Sequence, residues 1–269
     1  MSYLDARGAV LDCADRDGDI AEGALWLAAD DCPGVDPGRW LARIDELAGE
    51  LRDRCGLEGC GPADAPLVGA LLRDRLRLRG AGGGDPRAHY LHHVLDRGAG
   101  VPIACSAIWI AVGARVDIPV EGVNLPGHFV VRVDGHLFDT VASGEPLDRD
   151  DLQRLVTSGT GRDDVAVPDP PKLERASARD MLARMSRNLR RCYTSLECWE
   201  QALRAADRCV DLLPSAPAER RDRGLLLWKM GRIVAALADV NAYLDEAPES
   251  CADRAAMTEV AGRLRAFLN

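Results

Sequence analysis

Three side chains between Arg97 and Thr140 have the types and order that thiol-dependent acyl transfer requires: Cys105, His128 and Asp139. Cys105 falls in the first turn of a helix opened by Pro102. Unpaired N–H groups and the helix dipole there favour a thiolate, drawing its pKa from about 8.5 towards 7 or below. His128 follows a Leu-Pro-Gly turn, and Asp139 lies across a hairpin from it. In such a set the thiolate attacks a carboxamide or peptide carbonyl and the histidine takes and returns the proton. The aspartate holds the imidazole, and main-chain N–H groups at the helix start stabilise the oxyanion. Cys105 also reads as a small buried hydrophobe in an apolar helix, and both readings stand at this point. Ser106 is a weaker nucleophile, because serine needs a well-aligned base. Trp109, four residues after Cys105, shares its helix face, as cleft wall or as core.

The elements that must position this set can be read from periodicity. Pro102 suits the first turn of a helix, and IACSAIWIAVGAR is apolar on almost every side, so this helix must be buried. DIPVEGV, HFVVRV and HLFDT read as three short strands, with Asp134-Gly135 as a two-residue hairpin turn. That turn pairs Val133 with His136, Val131 with Phe138 and Val130 with Asp139. His128 then lies opposite Val141, one diagonal step from Asp139 on the same face. Diagonal neighbours are about 7–8 Å apart at the backbone, close enough for the carboxylate to orient the ring. His136 faces the other way.

Before this stretch, Leu4 to about Leu78 is helical, with a break at DDCPGVDPG. Trp26, Leu27, Trp40, Leu41, Ile44 and Leu47 are expected to form its inward stripe. Cys55 and Cys60 in CGLEGC are read as an unpaired helix-end loop, since a cytosolic chain disfavours a disulfide and a second pair of metal ligands is lacking. Arg73, Arg75, Arg77 and Arg79 form one basic cluster, read as a solvated face beside Asp74. GAGGGDP is a loop. His89 and His93 share a helical face in HYLHHVLD but lack the acidic residue of an HExxH pattern, so no metal is assigned. After the centre, Pro168-Asp-Pro-Pro171 bars helix and central strand.

A different pattern follows. Ala202, Leu203, Val210 and Pro214 recur 34 residues later as Ala236, Leu237, Leu244 and Pro248. That period belongs to the tetratricopeptide helix-turn-helix. Two repeats fall short of the roughly three needed for a continuous core, so they are expected to dock on the central domain or on a partner. AAMTEVAGRLRAFL is read as a closing helix. The domains are therefore placed at 1–95 (helical lead), 96–170 (core) and 175–269 (repeats).

Composition sets the outer limits. The net charge is −9 and the sequence pI about 5.1, which repels nucleic acid and anionic membranes. The chain opens on SYLDARGAVLDCADRDGD, without the basic start and apolar run of a signal peptide, and no stretch matches a membrane span. It is expected to be cytoplasmic. Its nine cysteines are scattered without CxxC spacing. No cofactor is implied.

Taken together, GVPI before an apolar helix, IPVEGVNLPGHFVVR, FDT, RMSRNLRRCY, and RDRGLL in the second repeat resemble the SirB-type family of transglutaminase-like proteins. The likeness covers nearly the whole chain. It implies an α+β fold with a small antiparallel sheet, followed by tetratricopeptide helices. In that superfamily His128 matches the histidine and Asp139 the aspartate, while the cysteine position falls on Pro102. Cys105 is displaced by three residues, about 60° around the helix axis. Two functions follow as expectations: cysteine-dependent acyl transfer or amide hydrolysis, or a scaffold without turnover that binds a protein partner through its repeats.

Overall fold

The computed structural model describes residues 3–56, 59–142, 144–167, 169 and 172–268, arranged as two compact units, 1–185 and 186–269. Of the proline run expected to end the core, Pro168, Pro170 and Pro171 lie outside the described residues.

The first unit is built around one helix with no polar face. It opens with α1 (Tyr3–Asp15), α2 (Ile20–Asp31), α3 (Pro37–Cys55), α4 (Ala65–Leu76) and α5 (Leu91–Arg97), followed by the apolar helix α6 (Pro102–Ala114). Asp19 and Asp36 cap α2 and α3 by accepting from the amides of Ala21 and Gly38. Ile103 to Trp109 and Ala111 to Gly113 of α6 are all buried. The helix is surrounded by α2, α3, α4 and α5 on one side and the sheet on the other.

The inward stripe of the lead is narrower than expected. Leu27, Ile44 and Leu47 are buried, but Trp26, Trp40 and Leu41 are only half-buried, and Leu25 and Leu51 complete the core instead. The larger rings sit at the edge of the stripe, where part of each stays in water. Cys55 and Cys60 form a disulfide, contrary to the unpaired loop expected from the sequence. Gly56 and Gly59, with φ of 76° and 79°, turn the chain back on itself within five residues and bring the sulfurs together.

A two-residue parallel ribbon, β1 (Arg79–Gly80) with β2 (Ala99–Gly100), precedes α6. It is too short to show periodicity in sequence. The main sheet is antiparallel: β3 (Glu121–Leu125), β4 (His128–Val133) and β5 (His136–Phe138). Val133 pairs with His136 and Val131 with Phe138, and Asp134 and Gly135 turn the hairpin at φ of 48° and 78°. The first strand begins at Glu121 rather than Asp117, because Pro119 cannot enter the ladder. The sheet's outer side is covered by α7 (Arg149–Thr160), where Leu152 and Val156 pack on Val123, Leu125, Val130 and Leu137.

The second unit begins inside α8 (Ala178–Ser195) and continues with α9 (Trp199–Leu212), α10 (Pro217–Lys229), α11 (Ile233–Glu246) and α12 (Arg254–Ala266). The 34-residue recurrence falls on α9 and α11, the second helix of each repeat, and α12 closes the array. Ala236, Val240, Tyr243, Met257, Ala261 and Leu264 form its core. RDRGLL has a physical basis here. Asp222 binds Arg190 at 2.5 Å, Arg223 forks onto Asp239 at 2.6 and 2.7 Å, and Arg221 pairs with Asp253. Gly224 lets α10 approach α11, since a Cβ there would meet Val240 at 3.1 Å.

Glu219 is the most enclosed of these acids, 3% exposed between Arg187 at 2.7 Å and Arg190 at 2.8 Å. Glu219→Ala leaves two guanidinium groups without their shared carboxylate and is expected to cost about 2–4 kcal/mol in urea unfolding. Glu246→Ala, which removes an exposed partner of Arg220, is the control and should cost under about 1 kcal/mol.

Candidate functional site

The start of α6, the start of β4 and the residue after β5 hold the three side chains expected to do chemistry. His128 and Asp139 meet. The histidine Nε2 lies 3.3 Å from Asp139 Oδ1, with side chains 13% and 7% exposed. The carboxylate also accepts from the amide of Val141 at 3.2 Å. A carboxylate against Nε2 selects the tautomer with its proton there, leaving Nδ1 as the basic nitrogen.

The turn before His128 is held from two sides. Gly127 has φ of 71°, and a Cβ on it would overlap the main chain of Gly159 on α7, so the Leu-Pro-Gly turn and α7 meet through glycine alone. Arg184 of α8 donates to Asn124 Oδ1 at 2.7 Å and to the carbonyl of His128 at 2.8 Å. Its guanidinium lies 5.5 Å from the Phe129 ring centroid. Arg184 was absent from the sequence-based site, because nothing local marks a helical arginine 56 residues away as a clamp on this turn. The helix α7 and its glycine were missed for the same reason.

Cys105 does not join the pair. It is fully buried, and its sulfur donates to the carbonyl of Arg79 at 4.0 Å and lies against Gly100, both on the β1–β2 ribbon. Burial pushes its pKa up to about 12, with the negative Asp139 adding to the rise and the Gly100 amide opposing it. The lowered pKa expected at a helix start is thus reversed. Loss of hydration outweighs the helix dipole when the sulfur is enclosed by apolar atoms. Pro102 occupies the first helical position, and its carbonyl receives a 3.5 Å contact from Thr140 Oγ1. Ser106 is buried and spends its hydroxyl on Thr140 at 3.1 Å. Trp109 is 1% exposed and stacks obliquely 6.2 Å from Phe138, so its role is core.

The histidines of the lead also depart from expectation. His89 precedes α5 and its Nε2 meets the Gly83 carbonyl at 3.0 Å, so it does not share a helix face with His93. His92 and His93 stack at 4.1 Å, and burial lowers the His92 pKa to about 4. The arginine cluster separates: Arg75 pairs with Glu50, Arg73 reaches the Ala142 carbonyl at 3.5 Å, and Asp74 binds Arg54. Among the described residues no helix is long and apolar enough to cross a membrane.

Two measurements follow from this geometry. Alkylation of Cys105 in the folded chain, read on the tryptic peptide from Gly98 to Arg115, should be negligible at pH 8, rise only towards pH 12, and be unchanged in His128→Ala; fast labelling near neutrality would contradict it. Cys13, Cys105 and Cys209 all have raised pKa values, to about 11, 12 and 12. A thiol whose folded pKa exceeds its unfolded value stabilises the fold fully below the unfolded pKa and loses that contribution as pH rises through the folded one. Unfolding free energy should therefore fall between about pH 9 and pH 12, and less steeply in Cys105→Ala, as read by chemical denaturation.

Comparison with known proteins agrees with this architecture. Residues 38–187 match the model of a transglutaminase-like superfamily core, and residues 189–265 match a tetratricopeptide repeat model. A UPF0162 protein of Xylella fastidiosa is 34% identical over 236 residues, covering 84% of this chain and 83% of that protein. A UPF0162 protein of Pseudomonas aeruginosa is 33% identical over 228 residues, covering 82% of each chain. Protein SirB1 of Salmonella typhimurium is 25% identical over 166 residues, covering 60% of this chain and 61% of that one. With a core model over more than half its length and relatives above 30% identity over most of it, the chain belongs to the SirB1/UPF0162 family of the transglutaminase-like superfamily, a transglutaminase-like domain followed by tetratricopeptide repeats.

Proposed function

We propose that this chain is a transglutaminase-fold binding protein without thiol turnover, which acts in the cytoplasm by holding a protein segment on its tetratricopeptide unit. The observation that carries the reading is the state of Cys105: enclosed, bonded to the β1–β2 ribbon, and with its pKa pushed up to about 12. A nucleophile must be a thiolate and must reach substrate, and a thiol in that environment is neither. Pro102 at the superfamily's cysteine position, and Ser106 committed to Thr140, support the same reading. On this view His128 and Asp139 fasten the β3–β4 turn to the end of β5.

A second reading rests on the His128–Asp139 pair itself, whose 3.3 Å contact leaves Nδ1 available as a base. For acyl transfer or amide hydrolysis, Cys105 would give its proton to Nδ1, its sulfur would bond the carbonyl carbon, and the amine would leave with that proton. Water or a second amine would then release the acyl group. This requires Cys105 to leave the ribbon.

In-cell photocrosslinking separates the readings. With the crosslinker at the exposed Thr194 of the repeats, a discrete adduct is expected that persists in Cys105→Ala. Loss of the adduct in Cys105→Ala, together with amide hydrolysis that requires both Cys105 and His128, would replace the binding reading with the enzymatic one.

A further inference from the structure

We propose that the groove between the facing sides of α8 and α10 in the second unit holds an acidic peptide segment anchored by one apolar side chain. This deepens the binding reading above and rests on it. The groove has a volume of about 600 Å³, within the range of sites that enclose a ligand. Its apolar lining is Trp199, Leu225 and Leu226, with Thr194 beside them. An apolar side chain of the occupant belongs on that lining.

The charges lining the groove decide the rest. Most arginines of this unit are matched: Arg187 and Arg190 by Glu219, Arg220 by Glu246, Arg221 by Asp253, Arg223 by Asp239, and Arg232 by Glu200. Three cations line the groove; Arg190 is among those matched, and the other two are different. Arg191 donates to the neutral Asn188 Oδ1 at 2.6 Å, and Lys229 Nζ stands 5.4 Å from the centroid of the Trp199 ring. Among the described residues neither has a carboxylate partner. The one acid of the groove, Asp222, is already held by Arg190 and Arg221. A chain of net charge −9 thus presents here two uncompensated positive charges beside an apolar lining. Their complement is a carboxylate attached to an apolar group.

Spacing sets the pattern. From Asp222 to Lys229 the groove runs seven residues of α10, about 10 Å of helix rise. An extended peptide covers that with about three residues at ~3.3 Å each. The expected motif is an acidic residue, an apolar anchor over Trp199 and Leu225, and an acidic residue, with each acid near one of the two cations. Side chains of Arg191 and Lys229 are exposed, so they can be reversed without opening the core.

The test pans a random heptapeptide phage library against the full-length protein and against the full-length Arg191→Glu/Lys229→Glu variant, checking by melting that the variant remains folded. Enrichment of peptides with Asp or Glu on both sides of a Phe, Leu or Trp is expected on the native chain only. A synthetic capped peptide of that sequence should bind at least about tenfold more weakly to the variant. The same peptide with Lys in place of its acids should bind the variant more tightly than the native chain. Enrichment of neutral or basic peptides, lost on Leu225→Arg, would overturn the acidic assignment while leaving the repeats as a peptide-binding unit. No enrichment, or binding indifferent to the double variant and to Leu225→Arg, would overturn both the acidic assignment and the groove. Binding of phosphatidylserine vesicles in place of peptides would do the same.

Discussion

A helix with no polar face has to be surrounded, and α6 imposes that requirement on the whole first unit. From Ile103 to Gly113 all but one of its residues are buried, so four helices and a sheet must be recruited to cover it. At about 25 cal/mol per Å² of apolar surface, each large side chain so enclosed contributes on the order of 1.5–3 kcal/mol. The same enclosure determines the chemistry at its N-terminal end. In a looser setting Cys105 would feel the dipole and the free amides of the first turn. Here dehydration prevails, and the thiol stays protonated.

The His128–Asp139 pair depends on a different kind of contact. It is built where backbone meets backbone, at Gly127 against Gly159, and where one guanidinium clamps the turn from α8. Neither contact involves the apolar helix. The link between the pair and α6 runs instead through Thr140, the neighbour of Asp139, which meets Ser106 and the Pro102 carbonyl rather than Cys105. Proline at the first helical position is compatible with both the helix and the pair, since that position needs no N–H.

The second unit solves its packing problem with charge as well as apolar area. Two repeats enclose a modest core, and ionic clusters tie successive helices together: Glu219 and Asp222 to α8, Asp239 to α10, Asp253 to Arg221. Enclosed pairs of this kind are costly to break and add little when compared with apolar alternatives, so they specify which helix packs on which. Arg191 and Lys229, two of the cations outside these clusters, stand together at one groove.

Periodicity and turn chemistry made much of this legible in the sequence. The buried helix followed from an unbroken apolar run after Pro102, the hairpin register from Asp134-Gly135, and the repeats from a 34-residue recurrence, because each is a short-range pattern that one segment states about itself. Long-range contacts left no such mark. Arg184 on the His128 turn, Gly159 beneath Gly127 and the two-residue β1–β2 ribbon each join partners whose meeting depends on chain paths elsewhere, whereas the Cys55–Cys60 disulfide is a local contact that the redox argument had set aside. What the sequence determined by itself was the set of elements and the candidate side chains. The hairpin register already placed His128 beside Asp139; only the tertiary structure decided that Cys105 turns to the ribbon and that Arg184 and Gly159 hold the turn before His128, because hydration and distance are properties of the assembled environment rather than of any one residue.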